Sequence, residues 1–114
     1  QYAPIKIKYA IKRYTDEVNR LYGVMNKQLK KNEFLAGRYS IADMACWGWI
    51  IPWKNQGQKI SDFPHLKRWF EQVGQRPAVI KGFAAGKEMR KQLLSENTKE
   101  AKKAKSILFN QRSR

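Results

Sequence analysis

Apolar residues recur every three or four positions in the first third of the chain and predict one long helix. They fall at positions 7, 11, 14, 18, 21, 25 and 29, which places them along one side of a helix with about 3.6 residues per turn. We predict that this helix runs from Pro4 to about Lys31, because proline is tolerated in a first turn, where its missing N–H costs nothing. Its apolar side should face a core.

Residues 32–38 interrupt this pattern, and a second helix is predicted to begin after Ser40. With Ser40 as the N-cap, Asp43 is the third helical residue, which is the spacing of a capping box. In such a box the hydroxyl accepts a backbone N–H, and the carboxylate accepts the N–H of the cap residue itself. Tyr39 and Met44 are placed to form a hydrophobic staple around this start.

The residues that follow the predicted cap are apolar on almost every side of the helix. No charged residue occurs between Asp43 and Lys54, a composition typical of a helix buried in the centre of a bundle. Pro52 should kink or end this helix, because it cannot donate a backbone hydrogen bond.

Two further helices are predicted in the second half of the chain. The first begins around Pro64 and ends at Gly74, and the second is a short helix that follows Pro77. The inner face of the first should be formed by Leu66, Trp69, Phe70 and Val73.

The remaining residues, from 86 onward, are rich in lysine and should be partly helical, around Glu88 to Leu94. Residues 107–109, Ile-Leu-Phe, are candidates for a docking anchor. No segment alternates apolar and polar residues for long enough to predict a strand, so the fold class is all-α.

Composition limits the class of protein. A chain of 114 residues with 42% hydrophobic and 12% aromatic residues should fold around one core of ordinary size. No apolar run is long enough to span a membrane. The single cysteine, Cys46, excludes an internal disulfide framework and favours a reducing compartment, so we expect a cytoplasmic protein. Because the chain begins with Gln1, we expect it to be processed or a fragment.

The chain is strongly basic. Twenty-four Lys and Arg residues against nine Asp and Glu give a formal charge of +15, which raises the chance of binding nucleic acid, anionic lipid or an acidic partner. The basic residues are spread over every segment, however, and charge that only confers solubility explains them equally well. Both readings stay open.

In order and spacing, these segments resemble the C-terminal helical domain of cytosolic glutathione transferases. FLAGRYSIAD, residues 34–43, resembles the family's capping box and staple, and FPHLKRWFEQVGQRPAV, residues 63–79, resembles its P-x-L-x-x-W … RPAV helix pair. YAIKRYTDEVNRLYGVMNKQL, residues 9–29, is similar to the bacterial nu-class enzymes and the fungal prion-type relatives, which act on glutathione disulfides.

This resemblance implies a domain organisation. Residues 1–85 correspond to the helical domain, with its first helix apparently missing, and residues 86–114 form a basic, partly helical C-terminal extension. Nothing in the chain resembles the N-terminal thioredoxin-like domain that builds most of the family's glutathione site. We therefore expect this domain as the missing partner, whether the truncation is natural or not.

The function implied is that of the C-terminal domain of a glutathione-dependent transferase or disulfide-bond reductase. The helical domain would contribute the hydrophobic substrate wall and dimer contacts, and it would be inactive by itself, because the thiol is activated elsewhere. Glutathione would be a substrate of the longer parent, and the chain should form a homo-oligomer and bind no membrane. The alternative is a non-catalytic helical module that binds protein or RNA through its basic surface.

Four residues are candidates for the glutathione cleft. Arg13 falls where YAIKRY matches the subgroup's cleft-facing arginine, and a guanidinium suits the carboxylates of glutathione; a solvated helix arginine is the plain alternative. Tyr9, Tyr14 and Trp49 are candidates for the substrate wall, although a core or domain-interface role is more common for aromatic residues on a helical stripe.

We predict no catalytic residue and no metal site in this chain. Ser40 and Asp43 have no nearby histidine base, so helix capping explains them. Cys46 should be buried and unreactive. The one histidine, His65, has no cysteine or carboxylate partner at metal-ligand spacing.

Overall fold

The computed structural model of the chain describes residues 5–94, Lys99 and Lys103. For residues 88–94 it describes the backbone and not the side chains. Pro4 itself and the predicted anchor at residues 107–109 lie outside this part. Residues 5–7 are described and are not helical, so the predicted start of the first helix at Pro4 is four residues too early. The elements are α1 (Lys8–Lys31), α2 (Ile41–Ile50), a 3₁₀ turn (Ile60–Asp62), α3 (Pro64–Gly74) and α4 (Pro77–Leu94). The described residues form only isolated β-bridges and no strand, so the all-α prediction is confirmed.

The chain divides into two compact units, residues 1–75 and residues 76–114. The first contains α1, α2, the 3₁₀ turn and α3. The second contains α4, one continuous helix from Pro77 to Leu94 where the sequence predicts a short helix and a separate later one. Gly82 and Gly86 do not interrupt α4. Each glycine lowers helix stability by only about 1 kcal/mol, which the rest of the helix can offset.

The core of the first unit is built on α3. Leu66, Trp69 and Val73 are completely buried, as predicted, because a spacing of three and four residues puts them on one side of the helix. Phe70 is half-buried and stacks on Trp47 of α2, with ring centroids 5.5 Å apart. The inner face of α3 therefore contacts both neighbouring helices.

The C-terminal half of α1 supplies the other side of this core. Tyr22 and Leu29 are buried, while Ile7, Ile11, Tyr14 and Leu21 of the predicted stripe are exposed. The ring of Tyr22 packs edge-to-face on Phe63 at 5.5 Å. Because α3 spans 11 residues and α1 spans 24, α3 is too short to cover the whole apolar side of α1.

The prediction that α2 is buried on all sides is wrong for the described residues. Asp43 and Ile50 are buried, but Ile41, Met44 and Trp49 are 82%, 56% and 75% exposed. Only one side of α2 packs against α3, so its opposite side faces outward. The helix ends at Ile50, two residues before Pro52.

Candidate functional site

Asp43 is the most densely hydrogen-bonded acidic side chain that the structure describes in the first unit. Its Oδ1 accepts the backbone N–H of Leu35 at 3.0 Å and the indole N–H of Trp69 at 2.7 Å. Its Oδ2 accepts the backbone N–H of Ser40 at 2.9 Å and lies 3.4 Å from the Ser40 hydroxyl oxygen. One carboxylate therefore joins the loop before α2, the start of α2 and the middle of α3.

The capping box predicted from the sequence is present at the start of α2. Both of its arms are formed, and the Ser40 hydroxyl also accepts the backbone N–H of Ala42 at 3.3 Å. Tyr39 packs edge-to-face on Phe34. Gly37, in the turn that precedes the box, has a φ of +84°, a conformation that favours glycine.

The environment of Asp43 keeps its carboxylate charged. Burial by itself favours the neutral acid, but the hydrogen bonds from Leu35, Trp69 and Ser40 stabilise the anion and together lower the pKa of Asp43. The sequence predicts the bond to Ser40 but gives no sign of those to Leu35 and Trp69, which depend on how α3 packs on α2. The group acts as a structural anion, because the donors that contact it are two backbone N–H groups, the Trp69 indole and the Ser40 hydroxyl, which itself caps α2.

A second set of polar contacts joins α1 to the loop between α2 and the 3₁₀ turn. The Tyr22 hydroxyl donates to Gln56 Oε1 at 2.6 Å, and Gln56 Nε2 donates to the backbone oxygen of Trp49 at 3.0 Å. Buried Gln58 accepts from Asn19 Nδ2 at 3.0 Å. Burial raises the pKa of Tyr22 to about 12, so its hydroxyl stays protonated and able to donate at neutral pH.

The four predicted cleft residues are all exposed and lie on two helices. Tyr9 and Arg13 are one turn apart on α1, Tyr14 projects about 100° away from Arg13 around the same helix, and Trp49 lies near the end of α2. Tyr9, Tyr14 and Trp49 are 80%, 72% and 75% exposed. In the part of the chain that the structure describes, no hydrogen bond, ion pair or ring contact joins Trp49 to the other three, so their role in a cleft stays a prediction.

Arg13 forms an ion pair with Glu17, one turn further along the same helix. Its Nη1 lies 3.3 Å from Glu17 Oε2, and Arg20 Nη2 lies 2.6 Å from Glu17 Oε1. The hydrogen bond from Arg20 and the charges of both arginines lower the pKa of Glu17 to about 2. Because both ion pairs are exposed, a carboxylate ligand can replace Glu17 at little cost.

Cys46 and His65 offer no reactive centre in the structure. Burial, and then the nearby negative charge of Asp43, raise the pKa of the Cys46 thiol, so the thiol is protonated at neutral pH. The backbone N–H of His65 donates to Asn26 Oδ1 at 2.9 Å. Within the described residues, no group of three His, Cys, Asp or Glu side chains is arranged to hold a metal, and no helix is long and apolar enough to span a bilayer.

Comparison with known proteins places these features in a family context. A sequence profile described as "Glutathione S-transferase, C-terminal domain" matches residues 6–77. The disulfide-bond oxidoreductase YfcG of Escherichia coli strain K12 is 47% identical over 78 residues, which cover 68% of this chain and 36% of that protein. The disulfide-bond oxidoreductase YghU of the same strain is 44% identical over 89 residues, which cover 71% and 31%.

A fungal relative is more distant. Protein URE2 of Saccharomyces bayanus is 32% identical over 114 residues, which cover 67% of this chain and 32% of that protein. The chain thus spans about a third of the length of these curated relatives.

Proposed function

The chain belongs to the glutathione S-transferase C-terminal domain family, and we propose that it is the helical part of a glutathione-dependent disulfide-bond reductase or transferase. The observation that carries this proposal is the similarity to YfcG and YghU. Both are named disulfide-bond oxidoreductases, and both share at least 44% identity with about two thirds of this chain.

We assign the thiol chemistry to another domain because this chain offers no reactive cysteine. Cys46 is its only cysteine, and its pKa is raised. A thiolate site therefore fits a second, thioredoxin-like domain better than it fits this one. In that domain, the glutathione thiolate would attack one sulfur of a disulfide, form a new S–S bond and release the other sulfur as a thiolate.

In this proposal, the helical part binds and orients the substrate. Arg13 pairs with a carboxylate of glutathione, while Tyr9, Tyr14 and Trp49 form the apolar wall. We further propose that residues 1–85 act as the helical domain and 86–114 as a basic extension, and that the protein is a cytoplasmic homo-oligomer. The exposure of all three aromatic side chains supports a binding surface, since large exposed apolar groups on a folded domain mark interfaces or ligand sites.

The first experiment tests where the thiol chemistry lies. The chain alone is mixed with glutathione and either a chloronitrobenzene electrophile or a mixed disulfide, and turnover is followed by absorbance. We expect no turnover above the uncatalysed rate. Turnover by the chain alone would contradict the assignment of the thiol site to another domain.

The second experiment tests Arg13 in a protein that joins this chain to a thioredoxin-like domain. Arg13→Gln should raise the KM for glutathione disulfide about tenfold, the equivalent of one charge-assisted hydrogen bond of about 1.4 kcal/mol, with little change in kcat. Lys12→Gln is the matched control, because Lys12 is the neighbouring exposed cation and also pairs with a carboxylate, Asp16. Equal effects of the two substitutions would remove Arg13 from the site.

A further inference from the structure

The outer side of α1 carries a row of cations in its C-terminal half. We call Arg20, Lys27, Lys30 and Lys31 the basic stripe. At about 100° per residue, Arg20, Lys27 and Lys31 project within about 40° of one another, and Lys30 lies about 60° from Lys27. All four residues are exposed, and the stripe extends over about 17 Å of helix.

Most of the stripe's positive charge is not neutralised locally. Of the carboxylates that form ion pairs in the described part of the first unit, only Glu17 pairs with a stripe residue, Arg20. Cations outside the stripe hold the others: Lys12 pairs with Asp16, Lys59 with Asp62, and Lys67 with Glu71, while Arg13 also pairs with Glu17. Lys27, Lys30 and Lys31 form no ion pair with any residue that the structure describes. Arg20 is partly satisfied by Glu17, so the three lysines carry most of the available charge.

The position of the stripe relative to the apolar side of α1 indicates which kind of anionic partner it fits. Exposed Ile11, Tyr14 and Leu21 are centred about 150° around the helix from the stripe, and Val24, 53% exposed, is the one large apolar side chain of α1 beside it. A helix that lies in an anionic bilayer needs its cations beside its apolar face, so that both reach the membrane together. A single valine beside the stripe does not amount to such a face, so the stripe fits an anionic bilayer poorly, and it stays accessible when a partner covers the apolar side.

The chemistry of the stripe fits a row of phosphates. Between Arg20 and Lys31 the only aromatic residue is Tyr22, which is buried on the other side of the helix, so the stripe offers no ring on which an unpaired base could stack. A length of about 17 Å corresponds to about five base-pair steps at about 3.4 Å each. The length sets only how many phosphates fit, whereas the lack of a ring for stacking makes a duplex backbone match this surface better than a single strand.

We propose that the basic stripe docks the phosphate backbone of double-stranded nucleic acid without reading its sequence. This inference goes beyond the proposed function and uses none of the residues assigned to the glutathione cleft. Its signature is salt dependence, because each phosphate neutralised releases a bound counterion. Lysines that contact phosphate should contribute about 0.9 each to the slope of log affinity against log salt concentration.

The test measures binding of the whole 114-residue chain to a fluorescent 20-base-pair duplex between 25 and 200 mM salt. The stripe variant is Lys27→Gln/Lys30→Gln/Lys31→Gln. The control variant, Lys54→Gln/Lys59→Gln/Lys67→Gln, removes the same formal charge from exposed positions outside α1. Circular dichroism melting verifies that both variants fold, since lysines near a helix C-terminus also stabilise the helix.

We expect the unchanged chain to bind the duplex at low salt. In the stripe variant, the slope of log affinity against log salt concentration should fall by about 2 to 3, and the affinity at 50 mM salt should fall at least tenfold. The control variant should lose less than one unit. Equal losses in the two variants, no loss in either, or absence of binding at 25 mM salt would overturn the proposal. So would tighter binding to vesicles containing phosphatidylserine than to the duplex.

Discussion

At the scale of single residues, the buried carboxylate of Asp43 determines how the first unit is assembled. It is 0% exposed and accepts hydrogen bonds from Leu35, Ser40 and Trp69. An unpaired buried donor costs about 1–3 kcal/mol, so loss of this acceptor leaves several such costs at once. The Ser40–Asp43 pair is therefore more than a local helix cap, because its acid also fixes α3.

Asp43→Asn should destabilise the chain by about 2–4 kcal/mol in urea unfolding at pH 7, because the amide replaces an acceptor oxygen by a donor that faces other donors. Asp62→Asn is the matched control, since Asp62 is an exposed acid. It should change the free energy of unfolding by less than about 0.5 kcal/mol. A cost for Asp43→Asn below that of the control would contradict this account.

The same carboxylate should make the stability of the chain sensitive to acid. The pKa of Asp43 in the folded protein lies below its ordinary value of 3.8, so the unfolded chain takes up a proton first as the pH falls. Its contribution is thus complete above about pH 5 and is lost as the pH falls through the folded-state pKa. Urea unfolding between pH 6 and pH 2 should give a flatter profile for Asp43→Asn than for the unchanged chain. Parallel profiles would show that other acids dominate.

At the scale of elements, α1 and α3 cap each other. Asn26 Oδ1 accepts the backbone N–H groups of His65 and Leu66 at 2.9 and 3.0 Å, in the first turn of α3. In return, Arg68 of α3 donates to the backbone oxygen of Leu29 in the last turn of α1 at 3.1 Å. It also donates to the backbone oxygens of Asn32 and Glu33, just after that helix, at 3.1 and 3.2 Å. Helix ends leave backbone groups unpaired, and here each helix satisfies some of those of the other. Phe63, the N-cap residue of α3, forms no side-chain hydrogen bond to the first N–H groups of that helix.

Asn26→Ala should lower the free energy of unfolding by about 1–2 kcal/mol, because two N–H groups of α3 lose their acceptor. Asn26→Asp should cost less than about 0.5 kcal/mol, since it keeps the acceptor and adds a negative charge near a helix N-terminus. Urea unfolding at pH 7 measures both. The result that would refute a capping role is equal destabilisation by alanine and aspartate.

At the scale of the whole molecule, the described residues leave two apolar helix sides uncovered. Ile11 and Tyr14 on α1 are 54% and 72% exposed, and Trp49 on α2 is 75% exposed. Large apolar side chains that are exposed on the same side of a helix, such as Ile11 and Tyr14, often mark an interface. The proposed function assigns part of it to substrate and part to contacts with another domain or subunit.

We therefore expect the isolated chain to self-associate as its concentration rises, and Ile11→Gln to weaken that association at least fivefold, because burial of an isoleucine contributes about 1.5–3 kcal/mol. Ile80→Gln is the control, since Ile80 on α4 is 56% exposed, almost the same as Ile11. Sedimentation velocity from 5 to 200 µM measures the effect. An equal loss in both variants would show that association does not use the α1 side in particular.

The sequence by itself determined the local features of this protein. The helical pattern of apolar residues predicted α1 and α3 with ends within a few residues, and the spacing of Ser40 and Asp43 predicted the capping box. These features depend on residues close together in the chain, where helix periodicity and cap chemistry act directly. The motifs in residues 34–43 and 63–79 likewise identified the family.

Only the tertiary structure decided which apolar side is covered and which distant polar groups meet. The bond from Trp69 to Asp43, the reciprocal caps at Asn26 and Arg68, and the exposure of Trp49 join or separate residues that are far apart in sequence. Apolar spacing shows that a helix has a side to bury, but it does not show whether a neighbour is long enough to cover that side. That is why α2 was predicted to be buried and is half exposed.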